Sequence, residues 1–225
     1  MNYRSIFNLL GILLSLFSIS FLVPLSITLV YEEKGAEIFL YSFLFLFFLG
    51  GGTWLLSRQE NITLNISDGF IVTTLFWVVL AFAGSIPFYF FGLGFNAALF
   101  ESVSGITTTG ATTMIGLDEM PKSILIYRQL LQWMGGMGLI VLAVAVMPAL
   151  GIGGGQLYKM ELPGSHGNQK LTPRIADSAQ ALWKIYVGLT IACAILYSFS
   201  GMGFFDAIAH SLSTVAGGGF STHDD

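Results

Sequence analysis

Five long stretches of this chain carry no charged side chain: Ile6 to Tyr31, Ile38 to Ser57, Gly69 to Phe100, Gln129 to Tyr158 and Ile185 to Phe205. A hydrocarbon core of ~30 Å takes ~20 apolar residues in helical form, so each run is long enough to cross a membrane. The pattern predicts spanning helices over 6–30, 38–57, 69–92, 124–150 and 178–200. The first reads as a span and not as a removable signal peptide, because it is long and further spans follow it. The third run is too long for one comfortable span and too short for two. Gly92 and Gly94 break it near one membrane face, and Asn96 to Ile106 then leads into a threonine- and glycine-rich stretch. One span followed by a short re-entrant helix fits that length. Non-helical backbone at membrane depth survives only where it is buried in protein or lines a wet cavity.

Composition agrees with this class. Only 10% of the 225 residues are charged and 54% are hydrophobic, with a mean hydropathy of +0.76; a soluble domain carries about 25% charged residues. Cys193 is the only cysteine, so neither a disulfide within the chain nor a cysteine metal cluster is expected. Alternating the loops across the membrane puts Arg4, Arg58, Lys159, Lys170, Arg174 and Lys184 on one side. Lys34, Lys122 and Arg128 fall on the other with Glu32, Glu33, Glu37, Asp118, Glu119, Asp224 and Asp225. The positive-inside rule then predicts a cytoplasmic N-terminus and acidic outer loops.

The chain also repeats itself. An offset of 109 residues lays Phe90-Phe91-Gly92-Leu93-Gly94-Phe95 on Phe199-Ser200-Gly201-Met202-Gly203-Phe204. At the same offset Ala98 falls on Ala207, Ser102 on Ser211, Ser104 on Ser213, Gly110 on Gly219 and Thr113 on Thr222. The unit is span, re-entrant helix, glycine loop and return span, as expected of parallel repeats about an axis along the membrane normal. The predicted organisation is an N-terminal helix pair (1–66), a first repeat (67–150), a cytoplasmic loop (151–177) and a second repeat (178–225) that stops after its loop.

The two loops carry the chemistry. They read Ser104-Gly105-Ile106-Thr107-Thr108-Thr109-Gly110-Ala111-Thr112-Thr113 and Ser213-Thr214-Val215-Ala216-Gly217-Gly218-Gly219-Phe220-Ser221-Thr222. A dehydrated potassium ion needs oxygens in place of its hydration shell, and backbone carbonyls supply them. Glycine admits the positive φ that turns successive carbonyls toward one axis. Asn96 and Asp206 are the expected N-caps of the short helices, whose partially negative C-terminal ends would then point at a cation. The competing reading, small residues at helix contacts, is preferred for Gly135-Gly136-Met137-Gly138.

Thr107-Thr108-Thr109-Gly110-Ala111, Ser213-Thr214 with Gly218-Gly219-Phe220-Ser221-Thr222-His223-Asp224, Gln132-Trp133-Met134-Gly135-Gly136-Met137-Gly138 and Pro173-Arg174-Ile175-Ala176 together resemble the Trk/Ktr/HKT superfamily of potassium transporters, in its bacterial TrkH branch. The resemblance runs through essentially the whole chain. It implies an all-α integral membrane fold, with two N-terminal helices followed by four repeats of helix, re-entrant pore helix, filter loop and helix around one pore. It further implies a homodimer in the bacterial inner membrane, gated by a cytosolic nucleotide-binding regulatory subunit of the TrkA kind, with no cofactor besides the transported potassium. Thr108, Thr109, Gly110 and Ala111, and Gly217, Gly218, Gly219 and Phe220, are the implied filter residues. Potassium would meet the carbonyls of Thr108, Thr109, Gly110, Gly218 and Gly219, and glycine at position 110 marks potassium permeability in the family. The chain departs from the pattern by stopping at Asp225, before repeats three and four with their gating loop and positive residue near the filter. Two filters cannot enclose an ion, so the chain reads either as a fragment of a longer protein, the preferred reading, or as a unit of which several copies assemble.

Glu101 and His210 are repeat equivalents inside the re-entrant helices, where ionisable groups are costly; both are expected to brace the filters by hydrogen bonds. Asp118, Glu119, Asp224 and Asp225 read chiefly as solvated loop charges, with cation steering as the alternative. His166, His210 and His223 lack metal-ligand spacing. The Gly151-Ile152-Gly153-Gly154-Gly155 run lacks the Gly-Lys-Ser/Thr of a phosphate loop and reads as a linker or part of a docking face. With no nucleophile–base pair and no zinc signature, enzymatic chemistry is not expected. The rival functions are a secondary transporter of another solute or cation, with broken helices at a midplane site, and a non-conducting membrane scaffold.

Overall fold

A computed structural model describes residues 3–58, 66–146 and 171–224 of the chain. The fold is all-α, and no strand occurs among the described residues. Helix α1 (Tyr3–Ser18) continues through a 3-10 turn (Ile19–Phe21) into α2 (Leu22–Val30), a single 28-residue apolar unit. Pro24 explains the interruption: its ring crowds the carbonyl four residues back and it donates no hydrogen bond, so the preceding turn tightens. Helix α3 (Ala36–Ser57) returns beside it, and α4 (Ile66–Phe91) follows. The short α5 (Phe95–Ile106) leads to the first glycine loop, and α6 (Lys122–Val146) runs back. Helices α7 (Leu171–Phe199) and the short α8 (Phe204–Ala216) begin the pattern again. Among the described residues, stretches of four units are long and apolar enough to cross a membrane: Tyr3–Val30, Ala36–Ser57, Phe70–Phe91 and Gln180–Phe199.

The sequence places the fifth span at 178, but α7 begins at Leu171. Its first turn holds Pro173, which a helix accepts there because the missing N–H has no partner to lose. Polar residues such as Arg174 and Asp177 hid that turn from a hydropathy reading. The expected 151–177 loop, with Lys159, Lys170 and the glycine run, otherwise lies outside the described residues.

The core forms where the N-terminal pair meets the first repeat. Tyr127 of α6 is fully buried, with the rings of Phe21, Phe39 and Phe88 at 5.6, 5.7 and 5.0 Å. Its hydroxyl donates to the Gly84 carbonyl at 2.7 Å, in the turn where Pro87 disturbs the ladder of α4. At one end of the bundle the Glu33 carboxylate accepts the Lys122 and Ser123 N–H groups at 2.7 and 3.1 Å. It satisfies orphan donors and opposes the positive end of the α6 dipole. Lys122 Nζ meanwhile stands 3.9 Å above the Tyr31 ring and 5.3 Å from that of Phe205. The N-terminal pair is thus pinned to both repeats.

Helices α1 and α3 touch backbone to backbone. A Cβ at Gly11 would fall 2.8 Å from the Gly50 carbonyl oxygen, and one at Gly50 would fall 2.7 Å from that of Gly11. Such contact replaces the absent hydrophobic drive between helices in lipid. Gly51 faces open space. Gly50→Ala is therefore expected to destabilise the protein by about 1–3 kcal/mol, while Gly51→Ala is neutral or slightly stabilising. Thermal unfolding in detergent checks the pair, and equal melting temperatures would contradict the backbone contact.

Candidate functional site

The two short helices are built alike, bond for bond. Leu93 N–H donates to Phe88 and Met202 N–H to Tyr197, at 3.1 and 3.2 Å, where each preceding span ends. Gly92 and Gly201 hold φ of 117° and 91° at those turns. Each helix is then capped by glycine, Gly94 or Gly203, with no side-chain capping bond. This corrects the expectation for Asn96 and Asp206, which lie inside the first turn. The tight glycine turn sets the chain's direction, and Asp206 instead accepts from the Thr222 hydroxyl at 2.8 Å.

Both helices end in the same turn as well. Thr108 and Thr109 N–H donate to the Gly105 and Ser104 carbonyls, and Gly217 and Gly218 N–H to those of Thr214 and Ser213, all at 2.9–3.0 Å. This pair of bonds is the Schellman arrangement, which requires a left-handed residue. Gly217 supplies it at φ 68°, whereas Thr108 adopts it at φ 56°, at a cost of about 1–2 kcal/mol for a side chain with a Cβ. Two residues on, Gly110 and Gly219 are left-handed again, at 77° and 82°. Among the described residues no hydrogen bond ends on the carbonyls of Thr108, Thr109, Gly110, Gly217, Gly218 or Gly219. The Ala111 carbonyl accepts the Ser104 hydroxyl at 2.5 Å.

Helix α6 stands behind both loops. A Cβ at Gly135 would fall 1.9 Å from the Ile106 carbonyl oxygen, and one at Gly136 would lie 3.1 Å from Ala216 Cα. The glycine pair therefore serves close packing, the role preferred from sequence. At ~1.5 Å per residue the step from Lys122 to Gly135 is ~20 Å, so the short helices end deep in the bundle. From there both loops climb back along α6. Gln132 Oε1 accepts the Phe220 N–H at 3.1 Å, and Gly218 lies against the same amide. Nearer the Lys122 end of α6, Arg128 donates to the Thr112 hydroxyl at 2.9 Å and to the Ser221 carbonyl at 3.2 Å. The loops meet at Gly110, where a Cβ would fall 1.9 Å from the Gly218 carbonyl oxygen. Thr109, Ala111, Gly217 and Gly219 are exposed, Thr108 and Gly110 half-buried, and Gly218 and Phe220 buried.

Glu101 and His210 occupy equivalent places in a repeated network. Glu101 Oε1 accepts the Thr112 hydroxyl at 2.7 Å and the Thr113 N–H at 2.5 Å, with the Thr113 hydroxyl and Met114 N–H at 3.3 Å. The Thr112 hydroxyl in turn accepts the Met114 N–H. In the second repeat His210 Nδ1 donates to the Asp206 carbonyl, and Nε2 shares a hydrogen bond with the Ser221 hydroxyl at 3.3 Å. Ser221 Oγ accepts the His223 N–H. Residues 101, 112 and 114 thus correspond to 210, 221 and 223 at the offset of 109.

Sequence reasoning missed Arg128 and Gln132. Arg128 was placed among outer loop charges, yet it is fully buried with Glu101, its Nε 3.4 Å from Oε2. It sits two turns inside α6, where a lone buried carboxylate needs an opposite charge. The available signal was its position immediately before the uncharged run at Gln129.

At the end of the bundle that carries Glu33, the second loop grips the first. Asp224 accepts the Gly116 and Leu117 N–H groups at 3.1 and 2.8 Å. His223 Nδ1 donates to Asp118, and its Nε2 lies 3.6 Å from Asp206.

A family model described as TrkH, a cation transport protein, matches residues 35–225. The chain is 52% identical over 227 residues to the Trk system potassium uptake protein TrkH of Vibrio parahaemolyticus, covering 100% of this chain and 47% of that protein. It is 48% identical to the Escherichia coli protein of the same name, with the same coverage. The crystal structure of the potassium transporter TrkH from Vibrio parahaemolyticus matches with a TM-score of 0.87 at 48% identity, over 100% of this chain and 45% of that one. The chain spans about half the length of the curated relatives it matches.

The hydrogen bond between His223 and Asp118 raises the pKa of the ring and lowers that of the carboxylate. The clasp is fully present below the free histidine value of ~6.5 and is lost as pH rises through the ring's higher folded value. On the acid side it is lost as pH falls through the lowered Asp118 value. In NMR titrations of ring-labelled protein, the His223 midpoint is expected above the free value and lower in Asp118→Asn; identical midpoints would contradict the clasp.

Proposed function

The chain belongs to the TrkH family of cation transport proteins, and we propose that it forms the first two repeats of a potassium pathway. The carbonyls of Thr108, Thr109, Gly110, Gly218 and Gly219 line that pathway, with Gly217 setting the second turn and Ala111 and Phe220 closing the two loops. One observation carries the reading. Two loops with left-handed residues at matching repeat positions meet edge to edge at Gly110, and the carbonyls of Thr108 to Gly110 and of Gly217 to Gly219 accept no hydrogen bond among the described residues. Carbonyl oxygens presented this way replace a cation's hydration shell, and the C-terminal ends of α5 and α8 add their partial negative charge. Two loops give only part of a coordination shell, so further repeats complete it. The relatives, about twice as long, have room for them.

Orientation follows from charge. The end bearing Glu33, Asp118 and Asp224 faces outward and the N-terminus lies in the cytoplasm, in a bacterial inner membrane. The relatives' names describe a Trk system, which supports assembly with partners. We take these to be a second copy of the pore subunit and a cytosolic nucleotide-binding subunit. Glu101 and His210 support the loops from behind and do not bind the ion. The relatives are uptake proteins, not enzymes.

Gly110→Asp in the whole protein tests the reading. A side chain there meets the Gly218 carbonyl and also violates the left-handed φ, so rubidium uptake should be abolished while membrane insertion is retained. Undiminished uptake would remove these loops from the pathway and favour a secondary-transport site elsewhere.

A further inference from the structure

Arg128 makes contacts that carbonyl coordination does not call for. Its guanidinium lies on Glu101, donates through Nη2 to the Thr112 hydroxyl of the first loop and through Nη1 to the Ser221 carbonyl of the second. It also stacks over the Phe220 ring at 4.3 Å. One helical turn further, Gln132 holds the Phe220 N–H and abuts Gly218. Most of the second loop, from Gly218 to Ser221, is therefore held by the return helix of the first repeat. Among the described residues, Arg128 is the one side chain from outside the loops that bonds to both.

We propose that Arg128 is a positioning residue that fixes the separation of the two loops, and so the size of the cation the pathway accepts. This rests on the filter reading above. The argument is geometric. The first loop is fastened to Glu101 through Thr112, Thr113 and Met114, which makes it one rigid body with α5. At the level of Thr112 and Ser221 the second loop is joined to that body through the guanidinium fork. A planar fork with five donors spans two acceptors and a carboxylate at fixed angles. A lysine ammonium, a compact point charge on a flexible stem, balances Glu101 but cannot hold three partners in one plane. Loosening that join lets the Gly110 and Gly218 carbonyls settle closer together or further apart, and discrimination between ions of different radius suffers before conduction does.

The test is the potassium-to-sodium permeability ratio of the complete transporter in proteoliposomes, measured for Arg128→Lys. The ratio is expected to fall by about tenfold, as loss of charge-assisted hydrogen bonds would produce, with total cation flux retained. The double variant Glu101→Gln with Arg128→Gln removes both buried charges together, leaves no unpaired ion, and is expected to lose selectivity as Arg128→Lys does. Should Arg128→Lys fail to fold, the double variant decides alone. An unchanged ratio in an inserted, conducting variant would overturn the brace. If Gly110→Asp still conducts, the filter reading itself has failed; if it does not, and Arg128→Lys keeps its ratio, only the brace has.

Discussion

Backbone that leaves the helical state deep inside a bilayer cannot face lipid, and that constraint organises this molecule. Two short helices each end in a left-handed turn, where the helical ladder stops and carbonyls are left over. In the pathway proposed above, protein must cover the side of each loop turned away from the ion, and α6 packs behind both loops at once. Its glycines remove the side chains that would hold the loops off, and its polar residues then meet the loop backbone in order, Gln132 at Phe220 and Arg128 at Ser221. The aromatic cluster around Tyr127 and the Glu33 cap in turn fix α6 in place.

A buried ion pair in such a setting is weak evidence for stability, since desolvation offsets most of its attraction. Its use is directional. Glu101 has its remaining lone pairs filled by loop donors, and Arg128 spreads its charge over both loops and an aromatic face. The second repeat manages with the imidazole of His210 and a single hydroxyl. The same three positions are used twice with different chemistry, as expected when a duplicated scaffold keeps its geometry while its side chains diverge. The left-handed Thr108 is the residue of that divergence, standing where the second repeat has Gly217.

The all-α membrane fold was legible because uncharged runs are long and their length is set by the bilayer. The repeat was legible because glycines and small residues recur at one offset, and the same backbone bonds recur with them. The equivalence of Glu101 and His210 followed from that offset alone. What they bond to did not, because Thr112 and Ser221 read as ordinary small residues. Arg128 was hidden for a different reason: the offset of 109 pairs it with no later residue of this sequence, so no self-comparison could single it out, and a charge at the margin of an apolar run looks like the loop before it. The capping expectation failed because Asn96 and Asp206 suit a helix start by residue type, whereas the start was fixed by the turns at Gly92 and Gly201.

The central claim is that a cation rests against the carbonyls of these two loops. Its most direct test is the structure of the complete protein with thallium in place of potassium, located by its anomalous scattering. The account predicts a peak in direct coordination contact with the carbonyl oxygens of Gly110 and Gly219, displaced by excess potassium. Thallium bound at another depth, with the two loops empty, would contradict it.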